Sequence, residues 1–212
     1  MGLRQISRVA ALIILGLLVA GCVAPQYTYV TDSSDSAYFK VPPSWHEVSE
    51  STLRTAEGSA NADGTYLWSR AYDAAAKPSV GDIDGPTQKP IALASVLSMS
   101  STERNDVSFD GMRDLLLPVT AAARKAAAAD HLSGFASLSD QVITDSHNDR
   151  GIHEIFNYDV GTSLETFDLT VMTNSTTTKL YFLLVQCSAT CFVSNYKQIA
   201  AVTGSFTIGG GS

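Results

Sequence analysis

The sequence predicts an α+β domain in which an antiparallel β-sheet is packed between helices, and three observations carry that expectation. Residues 151–160 and 165–173 each alternate apolar and polar side chains, with Ile152, Phe156, Tyr158 and Val160 on one face of the first and Phe167, Leu169 and Val171 on one face of the second. The run Lys179 to Cys187 is apolar on both faces, as a central strand covered on each side must be. Short loops separate the three, so an antiparallel meander is the natural connection. Composition agrees, since 212 residues with 45% hydrophobic and 17% charged side chains make one ordinary domain plus a tail rather than a disordered chain. A net charge of -7 argues against nucleic acid, whose binding draws on clustered Lys and Arg.

At the amino terminus, Arg4 and Arg8 precede the uncharged run Val9 to Val19, the layout of a secretory signal. As a helix this run would reach roughly 16 Å, short of a hydrocarbon core of about 30 Å. Val19-Ala20-Gly21-Cys22 then resembles a bacterial lipobox, in which small residues precede a cysteine that receives lipid. Residues 1–21 are therefore expected to be a lipoprotein signal peptide and Cys22 the lipidated first residue of the mature chain, tethered to the outer face of a membrane. An ordinary signal with an incidental Cys22 is the alternative. Removing residues 1–21 leaves 12 basic against 21 acidic side chains, a net -9, so the domain itself should not cling to anionic headgroups. Residues 22–36, polar and without helical period, read as the lipidated cysteine and a spacer, with the globular domain at 37–208.

Tyr38 to Trp45 alternates and then meets Pro42 and Pro43, which suits a strand ended by a turn that seats Trp45 in the core. Ser49 to Ala60 begins like a helix, with Ser49 and Ser51 as candidate caps, and Thr65 to Tyr72 is strand-like. Lys77 to Pro90 should be an exposed loop, and Ile91 to Ser100 a buried strand. Ser108 caps a helix with Met112, Leu115, Leu116 and Val119 at helical spacing, ended or kinked at Pro118. Thr120 can cap an Ala-rich helix from Ala121 to His131.

With Cys22 assigned to lipid, Cys187 and Cys191 remain and are expected to pair, export placing them where disulfides persist. A bridge needs Cα atoms about 4.4 to 6.8 Å apart, whereas four extended residues span about 13 Å, so the chain must turn sharply between them. So short a ring contributes on the order of 2 kcal/mol. A redox or metal site is the competing reading, though redox pairs usually have two intervening residues and no further Cys or close His completes a zinc tetrahedron. Phe192, Tyr196, Ile199 and Ala200 share a helical face, Gly204 ends that helix, Ser205 to Ile208 returns as a short strand, and residues 209–212 form a flexible tail.

Phe39-Lys-Val-Pro-Pro-Ser-Trp45, the strand ending at Asp159, Glu165 to Asn174, Tyr181 to Cys187, Cys191 and Gly204-Ser-Phe-Thr207 together resemble the actinobacterial lipoproteins of the PsbP-like (LpqN-type) superfamily of α/β/α sandwiches. The similarity covers about residues 36 to 208 and is most specific in the last sixty. It implies an antiparallel sheet between helices, and docking onto a larger partner more than catalysis. No binding residue is carried over from it.

Chemistry-bearing motifs are few. His153-Glu-Ile-Phe-Asn157 and His46-Glu-Val-Ser-Glu50 start like a helical zinc-protease motif but lack the second His one turn later. Asp82-Ile-Asp84-Gly85 lacks the later acidic ligand of a calcium loop, and no nucleophile elbow or phosphate loop is present. No metal site or cofactor is expected. The polar run Asp145-Ser-His147-Asn-Asp149-Arg150 could bind a cation or a partner's charges, although a solvated turn is the plainer reading. Asp168 faces away from Phe167 and Leu169 and is expected to be a buried acid that pairs with Arg or caps backbone amides. The functional expectation is a non-enzymatic protein-docking module in the cell envelope, with a membrane attached through Cys22 and an envelope protein as partners. A lipid or small-molecule carrier would need an apolar cavity between sheet and helix. A cell-wall hydrolase, the third reading, would need converging acid, base or nucleophile groups in a cleft.

Overall fold

The computed structural model describes residues 26–58, 65–127 and 132–209. Its strands are β1 (Thr28–Asp32), β2 (Ala37–Val41), β3 (His46–Glu47), β4 (Tyr66–Asp73), β5 (Ile91–Ser98), β6 (Ala136–Thr144), β7 (Arg150–Val160), β8 (Ser163–Thr173), β9 (Lys179–Ser188) and β10 (Thr207–Ile208). Its helices are α1 (Glu50–Glu57), α2 (Gly81–Asp84), α3 (Ser101–Asp106), α4 (Phe109–Arg113), α5 (Ala121–Ala126) and α6 (Ala189–Thr203). The expected leader, Cys22 and the last three residues of the expected tail lie outside the described residues.

The α+β expectation holds. A seven-stranded antiparallel sheet runs in the order β3-β4-β5-β9-β8-β7-β6, with β9 at its centre. The predicted three-strand meander is there and extends to a fourth strand, because β6 pairs with β7. Period-2 alternation divides β9 between two cores. Tyr181, Leu183, Val185 and Cys187 face α6 and a small sheet of order β1-β2-β10. Leu180, Phe182 and Leu184 face the other side, where they pack with Met112 of α4 and Val119. Trp45 is buried in the first core, where its indole N–H donates to Gln198 Oε1 at 3.4 Å.

Most helices start on a hydroxyl that satisfies an orphan N–H: Ser49 for α1, Ser108 for α4, Thr120 for α5 and Ser188 for α6. At α3, Ser100 Oγ accepts the Glu103 N–H while Glu103 Oε2 accepts the Ser100 N–H, a reciprocal capping box.

Five sequence expectations change. The spacer expected up to Ser36 contains β1, which pairs with β2 over its whole length and buries Val30, so the domain's first strand begins at Thr28. The loop Lys77 to Pro90 is not simply exposed, because α2 folds back over the sheet and the Thr87 carbonyl accepts the Ser188 N–H. The helix after Ser108 ends at Arg113, well before Pro118. There the Asp114 carboxylate accepts the N–H groups of Val119 and Thr120, both at 2.8 Å, and turns the chain, so Leu115, Leu116 and Val119 are not on one helical face. α5 ends at Ala126, and residues 128–131 of the expected longer helix lie outside the described residues. On α6, Tyr196 is exposed and the buried face is Cys191, Phe192, Ile199, Val202 and Thr203.

Candidate functional site

The sheet face opposite α6 is covered unevenly. Helices α1 and α2 pack over one part, where Leu53 of α1 is buried with Val48 and Ala71 and Ile83 of α2 packs against them, while α4 and the segment through Val119 pack over another. Leu93 of β5 touches both groups. None of the five short helices exceeds eight residues, and a gap remains between them over the sheet. The gap is a cleft of about 570 Å³, within the size range of small-molecule sites. Its floor is Leu93, Phe167, Phe182, Leu184 and Gln186. Leu53, Val80 and Ile83 form one wall, and Leu116, Leu117 and Leu132 form the other. The lining is predominantly apolar. Two carboxylates, Asp84 and Asp159, belong to it, and no Lys, Arg or His does among the described residues. Tyr158 closes one end with its hydroxyl donating to the Pro118 carbonyl at 2.5 Å.

A second opening of about 440 Å³ lies by α4 and β6, lined by Arg113, Arg124, Phe135, Asp140 and Glu154 among others. Glu154 points to the same sheet face as Ile152 and Phe156 and is 1% exposed, its Oε1 buried without a hydrogen-bond partner. Burial pushes its carboxyl up to about 8; the Asp140 charge adds to that and Arg113 opposes it.

On the opposite face, Asp168 finds neither Arg nor a backbone cap among the described residues. His153 Nε2 lies 2.8 Å from its Oδ1, and the Thr203 hydroxyl lies 3.3 Å from its Oδ2. That bond holds the His153 imidazole above its ordinary value, against burial. A base with a raised folded value stabilises fully below its unfolded value, about pH 6.5, and loses that contribution as pH rises through the folded one. Asp168→Asn is therefore expected to cost about 2 kcal/mol near pH 6 and clearly less at pH 9, measured by denaturant unfolding at the two values. An equal cost at both would contradict a charged pair.

The remaining predicted residues fall as follows. Cys187 and Cys191 stand at disulfide distance with Cα atoms 5.9 Å apart, and the sharp turn between them is the junction of β9 with α6. Asp145, His147 and Asp149 come together in the β6–β7 turn, with one potential ligand atom from each within 4.8 Å of the others. The turn accounts for much of that geometry: Asp145 Oδ1 accepts the N–H of His147 at 2.8 Å and of Asp149 at 3.0 Å. Asp149 is buried, and its carboxyl is raised by burial and by Asp145. Arg150 is exposed at the start of β7. The apolar cleft was not among the sequence candidates. Its one sequence signal is Gln186, a lone polar residue in the apolar run of β9.

No family model and no curated protein matches the chain. Solved structures do. The cyanobacterial PsbP of Synechocystis (CyanoP) superposes with a TM-score of 0.52 at 13% identity, over 90% of this chain and 97% of its own. The fold is PsbP-like. LpqN of Mycobacterium tuberculosis, described as involved in cell envelope biogenesis, gives 0.48 at 12% identity over 87% of this chain and 91% of its own. The Ran-binding protein Mog1p of Saccharomyces cerevisiae gives 0.46 at 7% identity over 86% and 95%. At these identities the likeness describes the PsbP-like fold alone. No helix among the described residues is long and apolar enough to cross a membrane.

Proposed function

We propose that the chain is a non-enzymatic, extracytoplasmic binding module of an actinobacterial envelope, tethered through lipid on Cys22, that carries an apolar small molecule. The cleft of about 570 Å³ between the sheet and its short helices carries this reading. Burying apolar ligand surface there would contribute roughly 25 cal/mol per Å², or about 0.8 kcal/mol per methylene. The lipobox at Cys22 and the pairing of Cys187 with Cys191 support placement outside the cytoplasm. Docking of an envelope protein is the second reading. It is favoured by β6, a sheet edge that exposes Leu138 and Val142 and could accept an added strand.

The test is native mass spectrometry of the full chain isolated from its own envelope. The carrier reading expects a bound small molecule at one per chain, retained by the natural protein. It expects at least a tenfold lower occupancy in Leu93→Trp, whose indole fills the cleft floor, at an unchanged far-ultraviolet circular dichroism spectrum. A chain that retains nothing would overturn it.

A further inference from the structure

The small sheet β1-β2-β10 has one covered face and one open face. Val30, Ala37, Phe39, Val41 and Ile208 point into the first core. Period-2 alternation therefore sends Tyr29 and Thr31 of β1, Tyr38 and Lys40 of β2 and Thr207 of β10 the other way. Register sets Tyr29 opposite Lys40, and Tyr38 between Thr31 and Thr207. Tyr27, just ahead of β1, joins them, because Lys40 Nζ lies over its ring at 4.3 Å from the centroid. Three of the chain's eight tyrosines thus share this face, and Tyr29 is 76% exposed. The strand residues that make up the face include no carboxylate: Asp32 has the core-facing parity of Val30, and Asp35 in the β1–β2 turn is paired with Lys179 at 2.7 Å.

The tether limits where this face can be. Because β1 begins at Thr28, five residue steps separate Cys22 from Tyr27. At about 3.3 to 3.6 Å per step they span at most about 18 Å. Headgroups occupy roughly 5 to 7 Å on each side of a bilayer, so with acyl chains on Cys22 the Tyr27 backbone stands no more than about 12 Å above the lipid surface. Tyrosine suits that level, having a ring to bury and a hydroxyl to keep wet. Lys40 offers lipid phosphate a cation, whereas the mature chain as a whole carries a net -9 that an anionic leaflet repels.

We propose that the open face of β1-β2-β10 is a membrane-contact surface, with Tyr27, Tyr29 and Tyr38 seated among the headgroups of the bilayer that holds the chain's own lipid. This rests on lipid at Cys22 and adds an orientation to it. Contacts too weak to recruit a free domain suffice, since the tether keeps the face at high local concentration. The cleft lies on the other side of the seven-stranded sheet from the small sheet. A domain resting on Tyr27 and Tyr29 therefore turns its cleft away from its own membrane.

The experiment is hydroxyl-radical footprinting, read by mass spectrometry, of the lipidated chain on vesicles of phosphatidylcholine and phosphatidylglycerol. The reference is the mature chain, residues 22–212, carrying no lipid in the same suspension. Tyr29 is expected to react about fivefold more slowly in the lipidated chain, with Tyr27 and Tyr38 also protected. Leu138, exposed on β6, is expected to keep its rate. Tyr27→Ser combined with Tyr29→Ser is expected to leave the lipidated chain on vesicles and return Tyr38 to the rate of the lipid-free chain. A natural chain with no lipid on Cys22 would overturn the anchoring reading and this one with it. A lipidated, vesicle-bound chain whose Tyr29 reacts as fast as the lipid-free one would overturn the contact surface alone. Equal protection of Leu138, or Tyr38 protection that survives the double substitution, would do the same. Protection in native envelopes but not on vesicles would assign the face to a protein partner and overturn the proposal.

Discussion

Replacing Glu154 with Gln is expected to stabilise the protein by about 3 kcal/mol at pH 7, with no gain at pH 4. In the folded chain the carboxyl is held at about 8, against an ordinary value of 4.5. Burial is the main cause, and the neighbours do not undo it. Arg113, the charge that most opposes the shift, is already engaged by Asp110 at 2.9 Å and Asp140 at 3.0 Å. For an acid raised in the folded state the sign runs against acid denaturation. Between pH 4.5 and 8 the unfolded chain releases a proton that the folded chain keeps, so folding stability falls with rising pH and levels off above 8. At about 1.4 kcal/mol per unit, the penalty is roughly 3 kcal/mol by pH 7 and about 5 kcal/mol once the carboxyl ionises. Glutamine copies the shape of the protonated acid and has no charge to bury.

Urea unfolding of the natural chain and of Glu154→Gln from pH 4 to 9 would show two curves that coincide at the acid end and separate upward from about pH 4.5. Curves that stay parallel would mean the carboxyl is ionised at neutral pH and paired within its opening. Because that opening also holds Arg124 and Phe135, the same titration tells whether a neutral, donating acid stands there at pH 7. Surface substitutions usually fall within about 0.5 kcal/mol, so an effect of this size singles out one buried group.

Glu154 also shows how much of the fold was legible. It shares parity with Ile152, Phe156 and Tyr158, so its burial was readable from the alternation that predicted β7. Strands β7, β8 and β9 declared themselves because large apolar residues recur at every second position over at least ten residues. By contrast, β1 buries one residue, Val30, and follows a polar stretch, so its pattern is too short to distinguish from a spacer. Strand β6 is an edge with few covered side chains, and its Ala-Ser-Leu-Ser-Asp-Gln-Val-Ile-Thr carries almost no contrast between faces. Helix α3 did carry a signal, Ser100 followed three residues later by Glu103, but it lies beside a strand and lacks an apolar face. The cleft was not legible because its lining comes from distant segments, Leu53, Val80, Leu93, Leu116, Phe167 and Gln186 among them. Only the sheet order brings them to one face.

Gly151→Ala is expected to cost more than about 4 kcal/mol or to prevent folding, while Gly161→Ala costs about 1 kcal/mol. Gly151 lies in the ladder of β7 directly opposite Met172 of β8. A methyl group at Gly151 would overlap the Val171 carbonyl oxygen and stand 2.8 Å from the Met172 Cα. Both are backbone atoms of a paired strand, so relief requires separating β7 from β8 rather than turning a side chain. Gly161 is the control because its Cβ would meet nothing within 4 Å, and the only cost comes from its left-handed φ of +62°. Thermal unfolding of the two variants separates close approach from backbone conformation, and equal losses would refute the clash. The consequence reaches the cleft as well. Strands β7 and β8 carry Tyr158 and Phe167 into its lining, so a Gly151→Ala chain that survives with its strands parted should lose ligand retention along with stability, whereas Gly161→Ala should keep both.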